Sequence, residues 1–274
     1  MKNNNSIIIG SGVIGSYLAK FLLSKRQKII VTSRKRKKAY TNYNKLNIEN
    51  KIIFEKLNFL KKDEILKLLK KYTPKNIFYF SGQSSLTKSI KLKKVTNDSN
   101  YIGAKKILEI LHKYELKTNF YKANSGYIFE PNKGLVNIKS KISKNKNPYI
   151  QSQIKAHKEV KKFRKKGVNC SSIFFLQVES PLRNNDFFIK KICTHAKLKK
   201  NIIVGNLNTI RDYSWAPEIA KGIYYLTKIK PRDSNAATVI NIPKKNKMEG
   251  ISIFESALNV GLEACPECGS AAAD

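Results

Sequence analysis

The chain has 274 residues, enough for one large domain or two smaller ones, and 41% of them are hydrophobic, which is sufficient for a proper core. Its formal net charge is +35, but only seven of the 54 basic residues are arginines, and the lysines are scattered through every segment. We therefore expect a solvated basic surface and no nucleic-acid partner, although incidental affinity or a dedicated site stays open as an alternative.

The first predicted elements are a strand over 6–10 and a helix over 13–25, joined by a glycine turn. Glycines keep Cβ atoms out of this turn, so a pyrophosphate can rest on the N–H groups at the helix N-terminus. The order of strand, turn and helix predicts a dinucleotide-binding site, and a glycine-rich turn without a ligand is the alternative. The residues expected to bind the cofactor are Gly10, Gly12, Val13, Ile14 and Gly15.

No segment resembles a secretory signal or a membrane span. Lys20, Lys25 and Arg26 interrupt the first apolar run, and no run approaches the roughly 18 apolar residues that a span needs. We therefore expect a soluble, cytoplasmic protein with no membrane partner.

The second strand, predicted over 28–33, ends in basic residues. Arg34, Lys35 and Arg36 follow it, and no acidic side chain is present to accept hydrogen bonds from the ribose of NAD. Basic groups suit the 2′-phosphate of NADP, so we favour NADP over NAD as the cofactor. A solvated basic loop is the alternative.

Apolar strands and amphipathic helices alternate along the rest of the chain, which predicts an α/β fold with a Rossmann-like doubly wound parallel sheet. The alternation becomes irregular from about residue 178. We therefore predict an NAD(P)-binding domain over 1–177, a small, mixed and reduced substrate-binding lobe over 178–262, and a disordered tail over 263–274. Further strands are predicted over 51–55, 76–81, 119–124, 168–176, 202–204 and 238–242, with a return of the last to the first domain left open, and further helices over 62–72, 98–117, 148–166, 185–198, 216–230 and 251–262.

The helix over 148–166 begins with a sequence that suits a catalytic position. Asn147 fits the cap and Pro148 the first turn, which puts Tyr149 at the helix start, facing the cleft at the strand ends. Ser125 follows the strand just upstream, and its hydroxyl can converge with Tyr149 on one carbonyl or alcohol. His157 continues an apolar helical spacing, so we expect it to pack against the body of the protein.

Several motifs together carry a family resemblance, at residues 12–19, 83–85, 120–125, 148–149, 179–183, 205–207 and 211–213. They resemble the extended short-chain dehydrogenase/reductases, the NAD-dependent epimerase/dehydratase family, and within it the GDP-mannose 4,6-dehydratases. The resemblance runs from about residue 6 to 262. It implies NADP or NAD in the first lobe and a nucleotide sugar, expected to be GDP-linked, in the second.

The resemblance also implies roles for individual residues. Tyr149 would be the catalytic acid and base, and Ser125 would hydrogen-bond the reacting oxygen. Arg211 would contact the nucleotide phosphates, unless it forms a surface ion pair with Asp212. A homodimer through helices 98–117 and 148–166 is implied in the same way. Further cofactor contacts are expected from Arg34, Asn58, Ser81, Gly82 and Gln83, and substrate contacts from Ser85, Gln177, Glu179, Ser180 and Arg183.

The chain departs from the family pattern at its catalytic positions. Gln153 stands where the pattern Tyr-x-x-x-Lys has its lysine, and an amide has no charge with which to lower the tyrosine pKa from about 10. Lys155 is near in sequence but faces elsewhere on the helix. Tyr127 stands where the dehydratase branch has the glutamate base for water elimination, and Ile9 replaces the first glycine of the family turn.

Two functions stay open at this point. The first is an active nucleotide-sugar oxidoreductase, acting as a dehydratase, an epimerase or a 4-reductase. The second is a degenerate homologue that binds NADP or a nucleotide sugar without turnover, which Gln153, Tyr127 and the short C-terminal lobe favour. Cys265 and Cys268 have metal-ligand spacing, but no second pair accompanies them, so no metal is expected.

Overall fold

The computed structural model describes residues 4–132, 136, 138–185, 187–199, 201–202, 213–228 and 237–239. Several sequence predictions fall outside the described residues. These are the helix 251–262, the disordered tail 263–274 with Cys265 and Cys268, the candidate substrate residue Arg211, and most of the strands 202–204 and 238–242.

Strands and helices alternate along the described chain. The strands are β1 (Asn5–Ile9), β2 (Lys28–Ser33), β3 (Ile53–Lys56), β4 (Asn76–Tyr79), β5 (Asn119–Ser125), β6 (Cys170–Phe175), β7 (Gln177–Glu179), β8 (Tyr213–Trp215) and β9 (Ala237–Val239). The helices are α1 (Val13–Ser24), α2 (Arg36–Lys45), α3 (Lys62–Tyr72), α4 (Leu86–Lys91), α5 (Lys93–Asn97), α6 (Gly103–Lys113), α7 (Pro148–Lys165), α8 (Phe188–Lys197) and α9 (Ala216–Leu226).

Seven of these strands form one parallel sheet in the order β3–β2–β1–β4–β5–β6–β9. The order reverses at β1, since β2 and β3 extend the sheet on one side of it and β4 to β6 on the other. Ligands of such sheets bind at the carboxyl ends of the strands beside this reversal. The Rossmann-like doubly wound α/β prediction is confirmed.

The central strands are apolar on both faces, because helices cover both sides of the sheet. Ile8 of β1 belongs to a buried cluster with Leu22 of α1 and Ile223 of α9. Ile7 points to the opposite face and belongs to the cluster that α3, α6 and α7 supply, which includes Phe163. β1 is therefore buried on both faces from Ser6 to Ile9.

A second, two-stranded parallel sheet joins β7 to β8, apart from the main sheet. β7 begins at Gln177, one residue before the predicted start of the small mixed lobe. β9 pairs with β6, so the chain returns to the edge of the main sheet after this lobe. The domain boundaries themselves stay a prediction.

The sequence missed α2, α4 and α5, because none of them has a clear apolar period. In α2 most side chains are polar or basic, and the fully buried Tyr43 provides its packing. The helix predicted over 98–117 begins as a π-helical turn, Asp98–Ile102, and continues as α6. None of the described helices is long and apolar enough to cross a membrane.

The turn after β1 gives a test of the fold. Gly10 has a φ of +114°, and a Cβ there would lie 2.6 Å from the backbone nitrogen of Ser81. We expect Gly10→Ala to lower the free energy of unfolding by roughly 2 kcal/mol or more, since backbone atoms cannot yield as side chains do. Urea denaturation followed by circular dichroism measures this loss.

Gly12→Ala is the matched control, because a Cβ at Gly12 would have no heavy atom within 4 Å. It should cost only about 0.5 kcal/mol, as expected for alanine at a helix cap. Equal losses in the two variants would contradict the steric account of the turn.

Candidate active site

A cavity of about 800 Å³ opens at the carboxyl ends of β1, β4, β5 and β6. Its size is within the usual range for small-molecule sites. All four predicted catalytic positions line it, namely Ser125, Tyr127, Tyr149 and Gln153. The candidate cofactor residues that line it are Gly12, Val13, Ile14, Gly15, Ser81, Gly82 and Gln83, and the candidate substrate residues are Ser85, Gln177 and Arg183.

The glycine turn forms one end of the cavity. No side chain caps the start of α1, so the N–H groups of its first turn face the cavity without a side-chain acceptor. The space beside the Cα of Gly12 is open, whereas a Cβ at Gly15 would collide with the carbonyl oxygen of Gly10. These residues fit a dinucleotide: the open side accepts a pyrophosphate, and the closed side brings α1 against β1.

Asn100, which the sequence analysis missed, fixes the neighbouring strand end. Its Nδ2 donates to the carbonyl of Gln83 at 3.1 Å and lies 3.0 Å from Oγ of Ser152 on α7. Its Oδ1 lies where a Cβ on Gly82 would be. A buried asparagine in a polar segment has no sequence signal of its own, so only the fold reveals this role.

The end of β2 stays basic in the structure. Arg34 is exposed, and no acidic side chain follows the strand. The guanidinium of Arg36 lies over the rings of Tyr40 and Phe54, at 5.0 and 5.8 Å from the ring centroids. Arg34 is therefore the arginine available for a ligand at this strand end, although it lies outside the cavity lining.

Tyr149 lies at the start of α7 and is 9% exposed. Asn147 caps this helix by accepting a hydrogen bond from the Tyr149 N–H at 2.9 Å, and Pro148 occupies the first turn, as predicted. Burial raises the pKa of the Tyr149 phenol, while hydrogen bonds with the side chains of Ser125 and Gln153 lower it. The net effect is a raised pKa, so the resting phenol keeps its proton.

Ser125 and Tyr127 come from the end of β5 and the turn after it. Oγ of Ser125 accepts a hydrogen bond from the Tyr127 N–H at 3.2 Å, which fixes the turn. The Tyr127 hydroxyl accepts a hydrogen bond from Nε2 of Gln177 at 2.6 Å. The Tyr127 phenol, hydrogen-bonded to an amide, thus occupies the position at which the family pattern has its glutamate base.

Gln153 is buried one turn after Tyr149, and Lys155 is exposed, so Lys155 cannot replace the missing lysine. The sequence analysis missed Lys122. Lys122 lies in β5, is only 1% exposed, and has its Nζ 3.4 Å from Oε1 of Gln153. The available signal was a lysine in the middle of a predicted inner strand, where an amine is costly to bury without a role.

The candidate substrate residues of the segment 179–183 divide into two groups, one in the cavity wall and one behind it. Arg183 lines the cavity, with its Nε donating to the carbonyl of Val178 at 2.7 Å and its guanidinium 3.9 Å above the ring of Phe187. Glu179 and Ser180 are buried and do not line the cavity. Oε2 of Glu179 lies 3.9 Å from Nε of Arg183, so the two form an ion pair behind the wall.

Asn58, a candidate cofactor residue, does not line the cavity. Its Oδ1 accepts a hydrogen bond from the N–H of Leu60, and its own N–H donates to Glu64, so it caps the turn before α3. Its contact with a cofactor stays a prediction.

This geometry defines a class of protein before any particular family. A doubly wound parallel sheet, a glycine turn after β1 and a serine–tyrosine pair beside it are typical of the extended short-chain dehydrogenase/reductases. The family model of GDP-mannose 4,6 dehydratase matches residues 7–263. The chain belongs to this family of nucleotide-sugar dehydratases and epimerases, which are enzymes.

Solved structures share the fold at low identity. The dTDP-glucose 4,6-dehydratase of Bacillus anthracis in complex with NAD is 18% identical, with a TM-score of 0.77, and the match covers 93% of this chain and 79% of that one. The UDP-glucuronic acid 4-epimerase of Bacillus cereus, with UDP-glucuronic acid and NAD, is also 18% identical, with a TM-score of 0.77 and coverage of 92% and 80%.

The UDP-glucose 4-epimerase of Thermus thermophilus in complex with NAD gives a TM-score of 0.76 at 16% identity, covering 94% of this chain and 82% of that one. At these identities the likeness concerns the fold alone. A search of curated proteins gave no significant match.

His157 lies one turn beyond Gln153 on α7 and packs against β6. Its Nδ1 is 3.0 Å from Oγ of Ser172, and its ring meets Phe174 edge-on. Burial lowers its pKa from 6.5 to about 4, with smaller contributions from the charges of Lys161 and Arg164. These contacts agree with the packing role that the sequence predicted.

His157 makes the stability of the protein depend on acidity. Because its folded pKa is below its unfolded value, the unfolded chain binds more protons between pH 6.5 and 4, and stability falls as the pH falls through this range. The free energy of unfolding of the wild type should fall between pH 7 and pH 4, and we expect His157→Gln to make this fall smaller by roughly 2–3 kcal/mol. Urea denaturation at pH 7, 5 and 4 measures this fall.

His112→Gln is the control, at an exposed histidine of α6, and it should keep the full fall in stability. Identical dependence on pH in the two variants would contradict the assignment of the effect to His157.

Proposed function

We propose that the chain is an NADP-dependent oxidoreductase that acts on the C4 hydroxyl or carbonyl of a nucleotide sugar, as an epimerase or a 4-reductase. The observation that carries the proposal is that the Ser125 hydroxyl and the Tyr149 phenol line the same cavity as the glycine turn, with Ser125 near enough to lower the pKa of the phenol. A hydroxyl and a phenol at this position can share one substrate oxygen between them.

The proton chemistry belongs to Tyr149. Bound NADP would accept or supply the hydride at the sugar carbon. Because burial keeps the resting phenol protonated, Tyr149 can donate its proton to the oxygen when NADPH reduces a carbonyl, which leaves a phenolate. Oxidation of an alcohol by NADP is the reverse step: the phenol must first have lost its proton, and the phenolate then takes the proton of the alcohol. The Ser125 hydroxyl would donate a hydrogen bond to the same oxygen and hold it near the phenol.

The cavity lining argues against the dehydratase among the family reactions. Elimination of water needs a base that removes a proton from the carbon next to the carbonyl. Among the described residues that line the cavity none is aspartate or glutamate, and Tyr127, at the position of the base in the family pattern, has its hydroxyl hydrogen-bonded to Gln177. Epimerisation and 4-reduction need no such base.

The charge of the lining supports a diphosphate-linked substrate. Lys88 and Arg183 line the cavity and give its lining positive charge. The epimerases and dehydratases that share this fold were solved with UDP-glucuronic acid or NAD, which supports the same ligand class. From the family match we propose that the sugar is GDP-linked, with Arg211 and Arg183 as contacts of its phosphates. We also propose a homodimer through α6 and α7.

The cofactor preference rests on the strand end of β2. The solved structures contain NAD, whereas the exposed Arg34 and the lack of a carboxylate favour a 2′-phosphate in this chain. We therefore propose NADP, with NAD as a weaker ligand.

Tyr149→Phe tests the catalytic proposal. The purified protein is incubated with NADP or NADPH and GDP-, UDP- and dTDP-sugars, and both cofactor absorbance and sugar products are followed. We expect the variant to lose turnover by roughly 10²–10⁴-fold, since the proton donor is gone, and to keep cofactor binding. Wild-type binding without turnover on any sugar would instead support a degenerate binder, the function that Gln153 leaves open.

Arg34→Asn tests the cofactor proposal. Loss of one charge-assisted hydrogen bond should weaken NADPH binding by roughly 10–100-fold and leave NADH binding nearly unchanged, as calorimetry can measure. Arg26→Asn is the control, because Arg26 is exposed just beyond the far end of α1 and asparagine tolerates its positive φ. Equal loss for both cofactors would count against a 2′-phosphate contact.

A further inference from the structure

Lys122 is a buried amine that the proposed reaction has not yet used. It lies in the middle of β5, flanked in the sheet by Tyr79 of β4 and Ser172 of β6. Its Nζ donates to the carbonyl of Ala123, lies 3.4 Å from Oε1 of Gln153, and is 5.6 Å from the centroid of the Tyr79 ring. None of these three neighbours is a carboxylate. A buried lysine without an acidic partner is expensive, so a functional reason is expected.

Lys122 dictates the orientation of Gln153. An ammonium has only donors, so the amide must turn its oxygen towards Lys122. Its NH₂ group is then left for the Tyr149 phenol, which lies one turn earlier on the same face of α7 and lines the same cavity. The Gln153 side chain lowers the pKa of this phenol, as expected of a donor. A donor at the phenol oxygen favours the ionised phenol, and the ammonium behind the amide polarises it further.

We propose that Lys122, acting through Gln153, stabilises the ionised form of Tyr149 during proton transfer, and so supplies from β5 the charge that the Tyr-x-x-x-Lys pattern supplies from the helix. Lys122 is a positioning residue, since it acts through Gln153. The proposal rests on the catalytic role of Tyr149 proposed above. It explains why an uncharged residue at position 153 is compatible with an active site.

Lys122 is also the group around this site that titrates near neutral pH. Burial lowers its pKa to about 7. Other titratable groups lie on the elements packed around Lys122. They are Tyr79 from β4, whose pKa burial raises, and Tyr149 and His157 from α7. The first two ionise well above pH 7 and His157 near pH 4, and Ser172 from β6 does not titrate. The positive charge is therefore present below about pH 7 and lost above it.

The first experiment measures the coupling without catalysis. Protein labelled with ¹³C at Cζ of tyrosine is titrated by NMR, and Tyr149→Phe assigns the Tyr149 signal. We expect this signal to show an inflection near pH 7 in the wild type, which reports the charge of Lys122, and to lose it in Lys122→Met and in Gln153→Leu. An inflection that survives both substitutions, or none in the wild type, overturns the proposal whether or not a substrate is known.

The second experiment exchanges the two side chains. Lys122→Met should lower kcat by roughly tenfold or more with little change in KM, since each pKa unit of the phenol is a factor of ten. Gln153→Lys alone brings two ammonium groups together and should also lose activity. The double variant Lys122→Gln, Gln153→Lys keeps one amide and one ammonium, and should recover most of the rate.

Lys155→Met is the matched control, because Lys155 is exposed on the same helix two residues from Gln153. It should leave kcat unchanged. If the wild type shows no turnover, the proposed function fails, and the NMR titration alone then decides on Lys122. If the wild type is active, Lys122→Met folds, and its kcat is unchanged, the proposal for Lys122 is wrong while the proposed function stands.

Discussion

The hydrogen bonds between β5 and helix α7 are the constraint on which the candidate active site depends. Asn124 of β5 donates to the backbone carbonyl of Gln153 at 3.3 Å, and Lys122 meets the Gln153 side chain. Asn100 joins the same helix one residue earlier, at Ser152. With these polar contacts the first turns of α7 are held against the strand ends, and Tyr149 lies beside Ser125 as a result.

The two halves of α7 are held in different ways, one by apolar packing and the other by polar contacts. Along α7 the half that is remote from the cavity packs with Val160 and Phe163 against the sheet. The half near the cavity buries an amide, a hydroxyl and an imidazole. Buried polar groups are stable only when their partners are in place, so this half of the helix has few alternative positions. A site that must hold a phenol near one substrate oxygen benefits from that lack of freedom.

Much of the fold could be predicted from the sequence because its main signals are periodic. The isoleucine strand, the glycine turn and the alternation of strands and helices gave the doubly wound sheet. Tyr149 and Ser125 were found because Pro148 and Asn147 mark a helix start and the strand upstream ends in a hydroxyl. The short helices α4 and α5 were missed, since they are held by tertiary contacts rather than by an apolar period.

Lys122 shows why the chemistry of the site was harder to predict than its location. The sequence reveals that Gln153 replaces a lysine, and the nearby Lys155 was expected to face elsewhere on the helix, so the sequence indicated no substitute. The contact that matters joins residues 31 positions apart. It depends on the strand alternation that puts Lys122 on the face under α7, and a pattern search along one helix cannot detect it.

The pairing of β9 with β6 has a consequence for synthesis on the ribosome. β6 ends at Phe175, and the strand that covers its outer edge arrives only with Ala237–Val239, about 60 residues later. Until those residues leave the exit tunnel, the nascent sheet presents a bare apolar strand with unpaired backbone groups, which is the feature that invites association between chains. Chaperone dependence should therefore be greatest for translation intermediates that stall between these two strands.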